Sequence, residues 1–155
     1  HDVTAMLEAA QAESAEAAAA LDIEAQQFQV AATQLAMNSA GFHGMDEYYN
    51  QDDGQIMAGD APLVLSVARL VNETEWPAEL QPMAEEFGDL LAEYHQALAD
   101  NDLAAVKAVV AEAHELQHDF SAEIGNWLGT ADGHDHGEME HDAMEEGESD
   151  HNHGG

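Results

Sequence analysis

The chain has no cysteine, only two basic residues, three prolines and no long apolar run. Without cysteine there is no disulfide, thiolate metal site, cysteine-ligated iron–sulfur cluster or covalent c-type haem attachment. Arg69 and Lys107 stand against 33 acids, for a formal net charge of −31. Such a surface repels nucleic acid and anionic membranes, and suits cations, basic partners or a saline habitat. No stretch reaches the roughly 18 apolar residues that a membrane-spanning helix needs. Few prolines, scattered β-branched residues and abundant alanine leave helix as the dominant local preference.

A length of 155 residues fits one domain with a real core. The pattern predicts an all-α antiparallel up-down-up-down four-helix bundle over residues 1–129, with a disordered acidic tail over 130–155. The first helix runs from Asp2 to about Asn38, about 55 Å if straight. Its apolar or small residues recur three and four apart at Val3, Leu7, Ala10, Ser14, Ala17, Leu21, Phe28, Ala31 and Leu35, interrupted by Glu24. A long connection follows from Ser39 to Gly59, with a short helix near Met45–Tyr49. Asp60 then caps a helix ending near Thr74, and Trp76-Pro77 breaks it. Further helices span about Ala78–Ala99 and Leu103–Leu128, joined by Asn101-Asp102, and Gly129 marks the last C-terminus. Hairpin counting leaves residues 2 to about 20 overhanging, to fold back, bend near Asp22 or pair with another subunit.

The chemistry-bearing residues are histidines and carboxylates. His114 and His118, four apart on one helix, share a face and can reach one metal ion. Neutral imidazole suits zinc, copper, nickel or iron. His114-Glu115-Leu116-Gln117-His118 also matches H-E-x-x-H, in which the Glu is the base of a zinc protease. A predicted fold without a strand or a third downstream ligand argues against that. Hairpin register sets His114 and His118 beside Gly88 and Ala84, level with Gln34 and Val30, with Glu85 or Asp89 as partners. The same register sets His43 near His95 with Asp46 or Glu47. Two separate clusters are therefore expected. Glu115-x-x-His118 is one ferritin-like Glu-x-x-His element, but the chain offers no second one for a di-iron site.

The tail carries His134, His136, His141, His151 and His153, with Met139 and Met144, among carboxylates. Imidazole and carboxylate bind divalent transition ions, and thioether adds affinity for Cu(I). This pattern resembles the His-rich tails of bacterial metal-resistance and metal-uptake accessory proteins. Gly41-Phe42-His43-Gly44-Met45-Asp46-Glu47 resembles the G-x-H-x-x-E motif of the imelysin-like family of periplasmic, metal-associated helical proteins. The resemblance implies that His43 is a ligand and that Asp46 stands where that family has Glu. The bundle is also similar to b-type cytochromes, for which Met6 and His118 are the nearest analogues of the haem ligands.

The chain begins at His1 rather than Met, which fits either a mature periplasmic or secreted form after signal removal or a fragment of a longer chain. The expected function is extracytoplasmic capture, buffering or delivery of a transition metal, with a metal transporter or a basic protein as partner and no turnover. Two alternatives belong to other classes. One is an acidic interaction protein that forms a homo-oligomer through its Ala-rich first helix, its histidines incidental. The other is a redox or b-type haem bundle.

Overall fold

A computed structural model describes residues 3–129. It contains α1 (Val3–Ser39), α2 (Phe42–Tyr49), α3 (Asp60–Glu73), α4 (Gln81–Ala99) and α5 (Leu103–Leu128), with no strand among the described residues. The architecture is the expected all-α antiparallel bundle. Neighbouring contacts run α1–α3, α3–α4, α4–α5 and α5–α1, which closes a square with α1 diagonal to α4. The histidines of the tail lie outside the described residues.

The helix ends follow from local chemistry. The Ala105 amide donates to the Asp102 carboxylate at 3.1 Å, an N-cap that starts α5. Asn101 before it takes φ 55°, a left-handed conformation that Asn tolerates better than most residues. Gly129, at φ 70°, closes α5. Asp60 is not the cap of α3. It is the first helical residue, and its carboxylate accepts the Tyr49 hydroxyl instead. At the other end of α3, the Trp76 indole N–H donates to the Val71 carbonyl at 2.7 Å and folds under the helix. The next turn, Pro77–Leu80, is held by the Leu80 amide on the Pro77 carbonyl, so α4 starts three residues later than expected.

The core is threaded by aromatic rings. Phe42 meets Phe87 edge-on at 6.0 Å, Phe87 meets Phe120 at 6.0 Å, and Phe120 meets Trp76 at 4.9 Å. Each such pair adds about 0.5–1.5 kcal/mol beyond the burial of its area. These rings tie α2, α4, α5 and the α3–α4 link into one core, filled out by Val64, Val71, Leu91, Val106, Val110 and Ile124.

Two expectations need correction. The three-four stripe of α1 does not face the bundle: Leu21, Phe28 and Leu35 are 66%, 77% and 69% exposed. The packed face is Val30, Thr33 and Met37. Polar partners select it. Gln26 and Gln29 donate to the Glu75 and Glu73 carbonyls, and the Thr33 and Thr74 hydroxyls meet at 2.6 Å. Gln34 donates to the Ser121 carbonyl, and Gln117 donates to Asn38. These last contacts also set the register of α1 on α5, about two helical turns, or roughly 10 Å, from the hairpin count. The count fails because α2 does not cap the end of the bundle. It packs on α5 beyond the end of α1, so that α1 and α2 share one corner.

Candidate metal centre

Gly41 creates the site. Its φ of +81° breaks the helical path after α1, and α2 begins at once. The buried rings of Phe42 and Tyr49 then hold α2 in place. Tyr49 is bonded to Asp60 of α3, and the Tyr94 hydroxyl of α4 reaches the Met45 sulfur at 3.3 Å. Both phenols resist ionisation. Burial and then the Asp60 hydrogen bond push Tyr49 up to about 12, and burial raises Tyr94 above the ordinary tyrosine value. Positions 43 and 46 of α2 are thereby turned toward α5.

Three imidazoles meet there. His43 Nδ1 lies 3.2 Å from His114 Nε2, and His118 Nε2 lies 3.0 Å from the same atom. On its far side His114 Nδ1 contacts Asp46 Oδ2 at 2.9 Å. The other Asp46 oxygen accepts from the Asn50 amide at 2.6 Å. Glu47 reaches His43 Nε2 at 3.4 Å. His114 and Asp46 are mostly covered, with side chains 19% and 22% exposed, whereas His43 and Glu47 are 68% and 69% exposed. His43 and His118 edge a depression of about 270 Å³ lined also by Asn38, Phe42, Gln117 and Ser121.

The chemistry turns on one lone pair. A carboxylate at Nδ1 holds the proton of His114 there, as in carboxylate–histidine–metal triads. Nε2 then presents a single lone pair, and two further ring nitrogens approach it. One neutral nitrogen accepts one hydrogen bond well, so the second neighbour is poorly served. A cation between the rings would engage all three lone pairs. At metal–nitrogen lengths of about 2.0–2.1 Å, spacings of this size correspond to ligand angles of about 95–105°. As the side chains stand, the rings form a chain through His114, and no group of three or more His, Asp or Glu among the described residues is arranged to hold a metal ion.

The two expected clusters are thus one. His43, His114 and His118 come together with Asp46 and Glu47. His95 makes no hydrogen bond or ion pair with them and sits on α4 beside buried Tyr94. Glu115 points the other way. It lines an acidic groove of about 450 Å³ between α4 and α5, with Glu86, Asp89, Glu93, Glu112 and Asp119. That orientation removes it as the base of an H-E-x-x-H site. Glu85 accepts from Gln81 rather than serving the histidines. Met6 is exposed on the overhanging part of α1. It lies about 48 Å along the helix from Asn38, which contacts Gln117 beside His118, so Met6 and His118 of one chain do not form a haem pair. His134, His136, His141, His151 and His153 lie outside the described residues. Asn50, which steadies Asp46, reads in the sequence only as the start of a turn at residues 50–53. Its place four residues after Asp46, at the end of a short helix, is the only signal of that contact.

No known protein family, characterised protein or solved structure matches this chain.

Proposed function

We propose that the protein binds a transition-metal ion through His43, His114 and His118, with Asp46 fixing the tautomer of His114. The supporting observation is the Asp46–His114 contact, which leaves the Nε2 lone pair facing two more imidazoles. His114 is the fixed member. His43 and His118 are exposed, so small ring rotations close the chain of nitrogens into a coordination set. Three imidazoles suit zinc, copper, nickel or iron. His43 occupies the His position of the imelysin-like motif, whose Glu position holds Asp46 here, and the resemblance supports His43 as a ligand.

The role is capture, buffering or delivery outside the cytoplasm rather than turnover. Tail histidines would raise the local supply of ion, and a transporter or a basic protein would receive it. Thermal unfolding of the full chain tests the proposal. An ion held between α2 and α5 must raise the melting temperature, because it binds the folded form alone. Excess zinc, copper or nickel should do so, and a chelator should reverse it. A melting temperature unmoved by any of these ions contradicts the folded site.

A further inference from the structure

α1 has two distinct faces. One packs on its own bundle through Val30, Thr33 and Met37. The other is the three-four stripe, which alternates without a slip from Val3 to Leu35. That period is 3.5 residues, the repeat of a two-stranded coiled coil rather than of a helix lying on a globular core. Its large members, Val3, Leu7, Leu21, Phe28 and Leu35, are all more than half exposed. The residues of α1 from Val3 to Ala25 are all exposed, roughly 35 Å of helix. Most helical stability in proteins comes from packing an apolar face rather than from propensity, and this face is left open to solvent.

We propose that α1 pairs with α1 of a second copy, antiparallel, along this stripe. One row of the stripe is Leu7, Ser14, Leu21, Phe28 and Leu35, mostly large. The other row is Val3, Ala10, Ala17, Glu24 and Ala31, mostly small. An antiparallel pair sets one row against the other, whereas a parallel pair sets each row against itself. With the stripes fully overlapped and antiparallel, Val3 meets the partner's Leu35 and Leu7 meets the partner's Ala31. Ala10 meets the partner's Phe28, and Ala17 meets the partner's Leu21. The one remaining layer puts Ser14 against the partner's Glu24, so the two polar residues of the stripe face each other. The parallel alternative stacks alanine on alanine and Glu24 on its own copy, two like charges in an apolar seam.

Charge and space agree with this arrangement. In a chain of net charge −31, only Glu13 and Glu24 among the acids of α1 fall in the seam or its flanking positions. Glu8, Glu16 and Asp22 point outward. The home bundle occupies the opposite face, so none of the described residues stands in the way of the second helix. A seam about 50 Å long and roughly 10 Å wide on each copy removes on the order of 1,000 Å² in total, at the lower bound for a biological interface.

Sedimentation equilibrium of the full chain, in salt of about 0.15 M or more to screen the acids, reads the mass directly. The expected mass is twice 16.6 kDa, returning to the single mass in the Leu21→Glu/Phe28→Glu variant with bundle helicity retained. Because the chain lacks cysteine, orientation can be read separately. A mixture of Ser14→Cys and Glu24→Cys chains should oxidise to the mixed disulfide-linked pair. A monomer at several hundred micromolar overturns the proposal. So does a dimer that survives the double variant, or a dimer in which Glu24→Cys cross-links chiefly to itself.

Discussion

The Nδ1–H of His114 donates to the Asp46 carboxylate at 2.9 Å, and that contact decides which nitrogen of His114 faces His43 and His118. In the proposed centre Asp46 would therefore act on a bound ion through His114 rather than by touching it. Removing such a carboxylate typically weakens metal binding 10–100-fold. Asp46→Ala should do the same in competition titrations against a chromophoric chelator. Glu47→Gln should change affinity far less, because Glu47 only reaches the exposed rim of His43. Equal losses in the two variants would mean that both carboxylates act simply as nearby charge.

Gly41 and Gly44 should respond to alanine with opposite signs. A Cβ at either position meets nothing within 4 Å, but Gly41 has φ +81°. Left-handed backbone costs an alanine about 1–2 kcal/mol, so Gly41→Ala should lower the melting temperature by several degrees and also weaken metal binding by displacing α2. Gly44 lies within α2, where Gly→Ala gains about 1 kcal/mol of helix preference. Thermal melts of the two variants, with and without zinc, check both signs.

The general plan of the fold was legible in the sequence, because the apolar spacing of α3, α4 and α5 reports one buried face each. Asp102 and Gly129 announced their helix ends through ordinary capping chemistry. Which histidines meet was not legible. Spacing alone shows that His114 and His118 share a face, but bringing His43 to them depends on α2 packing beyond the end of α1. A count of residues through a connecting segment cannot reveal that. The packed face of α1 was hidden for a different reason. Its bundle-facing positions include Gln26, Gln29, Thr33, Gln34 and Asn38, which read as polar, while the more apolar stripe faces outward.

Alkali should unfold the protein ahead of an ordinary bundle. Tyr49 and Tyr94 hold their protons more tightly when folded than when unfolded. Their stabilising effect is complete below the unfolded tyrosine value of about 10 and is lost as pH rises through the folded values. Denaturant midpoints should therefore hold between about pH 8 and 9.5 and drop steeply by about pH 11.5. In Tyr94→Phe the drop should be smaller. A midpoint that stays level over this range would remove the phenols from the account.

Acid should release an ion bound in the proposed centre. Imidazole must be neutral to coordinate and changes charge between about pH 5 and 8. The zinc-induced rise in melting temperature should therefore be full near pH 7.5 and absent near pH 5. A rise that persists at pH 5 would point to carboxylate ligands, such as those of the acidic groove between α4 and α5, instead of the histidines.

The most direct test is metal content per chain in a full-length protein whose five tail histidines, His134, His136, His141, His151 and His153, are all replaced by Gln. The protein would be loaded with zinc, desalted and subjected to elemental analysis beside the same chain carrying His114→Ala. The account predicts about one ion per chain in the first and almost none in the second, both keeping their helicity. Equal metal in the two, or none in either, would contradict a centre built on His43, His114 and His118.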